Sequence, residues 1–373
     1  LNENGYLTQL ICDTPHLIKR GYNFDRGFDG YWWERGQEAD IPFTKINTPI
    51  KEVMPHKKTR CDYKLKEKPS VKPAIPFETT LIDRHKWVNN HWRYEEDRFM
   101  VRTSKNSIKW IEDNYKADKF FLWIDFFDVH EPWDPPEYIV KNYDPNYKGI
   151  PMMHPNYGPA DVYTKAELKN LIAHYAGEVT LVSKWIGQIL RKVEEVGIMD
   201  KTAIIFTSDH GMYLGEHNRT GKSNICKEDK RGLWPLYNEL THIPLMIYHP
   251  KKKTERRREF VQPVDIMPTI LDIAGIKIPS DIDGFSLLEV INKKKKPRKY
   301  VISAIGPVKK TKVYTVREKN YVYLSAGHNG DLKELFDIKK DPYQKRNMIK
   351  KFPYVAERLE KIFEKFLVNH SSN

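Results

Sequence analysis

Cysteine is scarce in this chain of 373 residues. Cys12, Cys61 and Cys226 are odd in number, lie far apart and form no Cys-x-x-Cys pair. That excludes a disulfide framework and a structural zinc knuckle, and leaves three packed or half-exposed thiols as the expectation. No run approaches the roughly 20 apolar residues that a membrane-spanning helix needs, so no membrane partner is expected. The chain opens Leu1-Asn2-Glu3-Asn4-Gly5, with no Met and no charged-then-apolar leader. It reads as having lost its beginning, and no compartment follows from it.

What is present points to a globular protein. Hydrophobic residues make up 40% and aromatics 12%, enough for a sizeable core and too much for a disordered or collagen-like chain. The length suits one large domain with a smaller appendage. Lys plus Arg is 63 against 50 acids, a net charge of +13 that suits an anionic partner or a solvated basic surface. The basic runs at 251–253, 256–258 and 293–296 lack interleaved aromatics. They read as solvated loops rather than a nucleic-acid face.

Residues 1–100 are rich in Pro, Asp and Trp with little sustained periodicity, and read as long surface loops. From Phe120 an apolar run has the length of a buried strand, and it ends in the polar turn Asp128-Val129-His130-Glu131-Pro132. Thr164 and Glu167 have capping-box spacing, and Leu168, Leu171, Ile172, Tyr175, Val179, Val182, Ile186, Ile189 and Val193 then recur at helical steps up to Gly197. Residues 202–207 are strand-like and run into Ser208-Asp209-His210-Gly211; residues 243–248 form a third candidate strand. Pro268 and Gly275 bracket a short helix. Strand, loop, long helix and strand in that order predict an α/β fold with a mostly parallel central sheet flanked by helices. Residues 312–318 and 320–325 alternate as an antiparallel hairpin, and Pro353 opens a last amphipathic helix. The expected organisation is a large α/β core over 1–292 and a small sheet-plus-helix subdomain over 298–373.

Ligands of open α/β sheets bind beyond the carboxyl ends of strands. Two strand ends here carry polar clusters, Asp128 with His130 and Asp209 with His210. A carboxylate and an imidazole on a tight turn suit a divalent metal; Asp-His-Gly after a strand equally suits a plain hydrogen-bonded turn. Glu216, His217 and Lys222 add an acid, an imidazole and a positive charge. Tyr31, Trp32, Trp33 and Arg35 suit either a sugar- or aryl-binding wall or the packing of a loop.

The segment Thr207-Ser208-Asp209-His210-Gly211, then Leu214-Gly215-Glu216-His217 and Lys222, resembles the metal-binding segment of the sulfatase family, within the alkaline-phosphatase superfamily. Gly5-Tyr6-Leu7-Thr8 resembles the family's GYxT strand entry, Asp128 to Pro132 its D-x-H-x-P turn, and Thr241 to Leu245 its T-x-x-P-L stretch. Val264 to Leu271, Gly284 to Leu287, and Leu335-Phe336-Asp337 with Asp341-Pro342 and Asn347 follow in the family's order, so the resemblance runs from residue 1 to about residue 367. It implies an alkaline-phosphatase-like fold and hydrolysis of a small anionic sulfate ester, aryl or glycan. Asp209 and His210 would ligate one divalent ion, calcium by resemblance, with manganese or zinc also suited to the imidazole. Lys222 would bind sulfate oxygens and His130 would assist the leaving group. His16 would act near the family's Lys-x-His pair, one position out of register, with Asp13 standing where Lys is common.

Two family features are missing, the nucleophile and the pair of Asp residues near the N-terminus that by resemblance also hold the metal. The formylglycine nucleophile arises in a C/S-x-P-x-R segment, and no Cys or Ser of this chain has that Pro and Arg. In the family that segment precedes GYxT, so the chain is expected to be a sulfatase fragment, inactive alone. The Asp-His pair also occurs in phosphonate and phosphodiester hydrolases of the superfamily, which makes that activity the first alternative. A non-catalytic basic binding protein is the second.

Overall fold

A computed structural model of the chain describes residues 1–19, 21–40, 85–86, 88–223, 234–306, 311–327 and 329–370. The fold is mixed α/β, and its contacts separate into two units, Leu1–Thr202 and Ala203–Asn373.

The first unit is built on a parallel sheet. Strand β1 (Leu7–Cys12) lies between β2 (Gly30–Trp33) and β3 (Phe120–Asp125), all parallel, with Cys12 opposite both Trp33 and Asp125. Strands β1 and β2 correct the reading of residues 1–100 as loops. Each is too short to show a period, and Leu10, Ile11 and Cys12 are buried consecutively, so no alternation marks the strand. Most of the rest of that stretch, 41–84, lies outside the described residues, as do Cys61 and Cys226. Cys12 is buried, and burial followed by the neighbouring Asp13 pushes its thiol up to about 12, which leaves it unreactive.

A short helix α1 (Pro15–Ile18) follows β1, and α2 (Phe99–Asn114) precedes β3. Helix α3 (Glu137–Tyr143) follows, and the long α4 (Lys165–Glu195) begins where the sequence reading put it. Thr164 Oγ1 accepts from Glu167 N at 3.2 Å and Glu167 Oε2 accepts from Thr164 N at 2.7 Å, the reciprocal capping box. Gly197 takes a left-handed φ of 70° just beyond the helix end. Ile111, Ile189, Val193 and Ile198 pack with Phe120, Leu122 and Ile124 of β3, so the helical stripe covers the sheet.

In the second unit β4 (Ile204–Thr207) pairs antiparallel with β7 (Leu245–Tyr248). Between them lie the tight hairpin β5 (Tyr213–Leu214) and β6 (Arg219–Gly221), then the single turn α5 (Asn238–Thr241). Helices α6 (Ile266–Ile273) and α7 (Leu287–Ile291) follow. A four-stranded antiparallel sheet comes next, β8 (Tyr300–Ile305), β9 (Val313–Glu318), β10 (Tyr321–Ala326) and β11 (Leu332–Asp337), in the order β11-β10-β9-β8. The last helix is α8 (Pro353–His370). Alternation buries both sheet faces. Tyr314, Val316 and Tyr323 meet Val355, Leu359 and Phe363 of α8, while Val313, Val322, Leu324 and Phe336 meet Tyr213, Trp234 and Leu240. Among the described residues no helix is long and apolar enough to cross a membrane.

Candidate functional site

Each unit carries one cluster at its strand ends. In the first, the parallel register of β1 and β3 makes residues 13–16 and 126–130 leave the sheet side by side. Asp13 is fully buried between them. Its Oδ1 accepts from Phe127 N at 2.5 Å and its Oδ2 from Thr103 Oγ1 of α2 at 3.3 Å. The Phe127 ring so fixed stacks on two imidazoles, His130 at 4.1 Å and His16 at 6.0 Å between centroids. His16 Nε2 lies 2.9 Å from Glu38 Oε2. His130 Nδ1 lies 2.7 Å from the carbonyl of Glu131 and 3.5 Å from its carboxylate, which is fully buried and accepts from Tyr157 Oη. Two histidines remote in sequence are thus gathered around one aromatic ring.

Beneath them sits a set of buried carboxyls. Burial pushes Asp13 well above the usual carboxylate range, and Asp128 pushes it further. Burial raises Asp128 to about 6, against the hydrogen bond donated by Gln37 Nε2 at 2.9 Å. Glu178 of α4, 3% exposed, is raised by burial and then by Asp128. A raised folded pKa means that the folded state holds protons the unfolded chain gives up, so stability falls as pH rises from about 4. For Asp128 the loss is complete above about 6. Asp13→Asn keeps an oxygen for Phe127 N and never ionises. Its melting temperature should match the wild type near pH 4 and exceed it at pH 8. A wild type equally stable at both pH values, with the variant parallel to it, would show that these carboxyls ionise freely.

Tyr31 and Trp32 on β2 are each more than half exposed, whereas Trp33 is half-buried under the Arg35 guanidinium, 5.1 Å from its ring. Only Trp32 of this group borders a shallow concavity, beside Arg102, Lys105 and Asn106. Arg102 is itself paired with Glu34.

In the second unit β4 delivers Asp209 and His210 to solvent, their side chains 82% and 41% exposed. Asp209 Oδ1 accepts from His210 N at 2.7 Å. His210 Nδ1 lies 3.0 Å from the carbonyl of Gly211, and since a carbonyl only accepts, Nδ1 carries the proton. The lone pair then sits on Nε2, 3.4 Å from Asp209 Oδ2. Two electron-pair donors side by side, with the imidazole oriented by a backbone carbonyl, fit two positions of a divalent ion's shell. No set of three or more His, Cys, Asp and Glu side chains arranged for a metal occurs among the described residues. The turn is held from behind, where Gly211 N donates to Leu240 O of α5 at 3.0 Å. Lys222, half-buried, follows β6 directly. At the hairpin tip the His217 ring lies flat on Tyr237, 3.8 Å between centroids, with Nε2 3.5 Å from Glu239.

The sequence pointed to the imidazoles and missed the carboxylates beside His16 and His217, Glu38 and Glu239, as well as the buried Glu178 next to Asp128. A signal existed for Glu178, which falls on the buried stripe of Leu171, His174 and Leu181.

Residues 16–276 match the family model described as Sulfatase, and residues 228–369 match N-sulphoglucosamine sulphohydrolase, C-terminal. An arylsulfatase of Clostridium perfringens is 28% identical over 299 residues, covering 75% of this chain and 59% of that protein. The chain spans about half the length of the curated relatives it matches. Among solved structures, a protein in complex with its substrate D-glucosamine-2-N,6-O-disulfate superposes with a TM-score of 0.67 at 18% identity, over 100% of this chain and 81% of that one. The phosphonate monoester hydrolase of Agrobacterium radiobacter superposes with a TM-score of 0.62, also at 18% identity, over 98% and 78%. At such identities the likeness is one of fold.

Proposed function

Because the chain belongs to the sulfatase family, we propose that the protein cleaves a sulfate monoester with the help of a divalent metal ion. The observation that carries this reading is the Asp209–His210 pair, which offers a carboxylate oxygen and an imidazole nitrogen to one ion. When bound, the ion supplies positive charge against the negative charge that grows on the ester oxygens. The carboxylate suits calcium, and the imidazole nitrogen suits manganese or zinc as well.

The other residues have separable tasks. Lys222 would hold a sulfate oxygen with its ammonium, a point charge aimed at a compact anion. His130 would assist the leaving group. Its Nδ1 lies against the Glu131 carbonyl with the buried carboxylate near it, which orients the ring that would assist the departing oxygen. His16 has Nε2 engaged by Glu38 and keeps Nδ1 for the substrate. Asp13 touches no substrate in this scheme; it fixes Phe127 and through it both rings. The chain has no C/S-x-P-x-R segment, so none of its residues is assigned as nucleophile.

A sulfated sugar is the substrate class we favour, on the strength of the disulfated glucosamine bound by the fold's structural neighbour. The Asp-His pair and the likeness to a phosphonate monoester hydrolase support the second reading, a phosphonate or phosphodiester substrate. Parallel assays of an intact homologue that carries the C/S-x-P-x-R segment, on p-nitrophenyl sulfate and bis-p-nitrophenyl phosphate, separate the two. A higher kcat/KM on the sulfate is expected, and preference for the diester would overturn the first reading.

A further inference from the structure

The tip of the β5–β6 hairpin borders a cavity of about 470 Å³ that is lined wholly by the second unit, with α5, β11 and the loop 343–347 forming its other walls. The hydrolysis scheme uses none of its residues. Its polar groups are held in place before any ligand arrives. His217 is clamped between Tyr237 and Glu239, and Tyr237 Oη donates to Glu334 Oε2 at 2.5 Å. His217 and Gln344 both keep left-handed backbones, with φ of 54° and 53°, a conformation non-glycine residues adopt only where the surroundings impose it.

Gln344 is 2% exposed. Its Oε1 accepts from Asn238 N at 2.8 Å, which fixes the amide. That NH2 has no hydrogen-bond partner among the described residues. A buried donor without an acceptor is costly, so its place in a cavity wall points to an acceptor that arrives with a ligand. The charge of the wall says what kind. Glu216, Glu239 and Glu334 outnumber Lys345 and His217, so this is a negative hollow on a chain of +13. It repels sulfate and phosphate, whereas hydroxyl groups donate well to carboxylates. Tyr343, 68% exposed, offers an aromatic ring at the edge.

We propose that this cavity binds a neutral hexose or N-acetylhexosamine ring, with hydroxyls donating to the carboxylates, an oxygen accepting from Gln344 Nε2 and the ring resting on Tyr343. The proposal goes beyond the hydrolase reading and does not depend on it, because it is read by binding alone. The protein is titrated with N-acetylglucosamine, galactose, glucose 6-sulfate and spermidine by calorimetry and saturation-transfer NMR. Millimolar binding of one of the neutral sugars is expected, with the sulfated sugar and the amine weaker. Gln344→Glu keeps the acceptor for Asn238 N and removes the orphan donor, and should weaken the sugar about tenfold. Tyr343→Ala, at an exposed position, should weaken it by a similar factor without changing the melting temperature, and carries the test if the Gln344 variant does not fold. Failure of both neutral sugars to bind overturns the proposal. So does equal or tighter binding of the sulfated sugar or spermidine, or sugar binding that survives both substitutions.

Discussion

In a chain that also carries the C/S-x-P-x-R segment, Asp209→Asn and Lys222→Met should each lower kcat/KM on a sulfate ester by about 10²- to 10³-fold, the loss seen when one preorganised contact to developing charge is removed. The two variants should differ in a second readout. Asp209 is 82% exposed, and Asn keeps an oxygen for His210 N, so the fold has no reason to weaken. What Asn loses is the charge a metal needs. Calcium, manganese and zinc are added in turn to the wild type, and at least one should raise its melting temperature, because an ion bound only by the folded state stabilises it by mass action. That rise should shrink or vanish in Asp209→Asn and persist in Lys222→Met. A Lys222→Met variant that turns over at the wild-type rate ends the assignment of Lys222 to the sulfate. An Asp209→Asn variant that keeps the full metal-induced rise ends the assignment of that carboxylate to the ion.

The parts of this protein legible in the sequence are those specified locally. Helix α4 announced itself because its cap and its apolar stripe lie within one continuous segment. The β9–β10 hairpin did so because each strand alternates between two buried faces. Strand direction did not show, since an apolar run reads the same either way; β4 and β7 pair antiparallel, a fact that resides in the connection between them. Asp209 and His210 could be found because a strand end followed by that turn is a local event. The stacking of His16 and His130 on Phe127 could not, because it depends on the register of β1 against β3. Glu38 and Glu239 carry no local mark, because only the fold brings an imidazole to each.

Gly211→Ala should be among the most damaging single-methyl additions available to the second unit. A Cβ on Gly211 would lie 1.9 Å from the carbonyl oxygen of Glu239 and 3.5 Å from Leu240 Cα, both backbone atoms that no rotamer change can withdraw. Relief requires the turn after β4 to part from α5, which also stretches the bond from Gly211 N to Leu240 O. Overpacking a close-packed contact costs about 1–3 kcal/mol and sometimes more, and a clash with main chain belongs at the upper end. The proper contrast is Gly187→Ala. Gly187 is exposed in the middle of α4, and its added methyl meets nothing within 4 Å. There the only effects are helix propensity and a less flexible unfolded chain, both favouring Ala by about 0.5–1 kcal/mol. The same substitution should therefore lower stability at 211 and raise it at 187, measured by urea unfolding of each variant. Gly211 adjoins His210, so its variant should also lose the metal-induced rise in melting temperature at temperatures where it is still folded. If Gly211→Ala unfolds at the wild-type urea concentration, the turn does not rest on the Glu239 carbonyl, and the orientation of His210 Nε2 toward an ion loses its mechanical support.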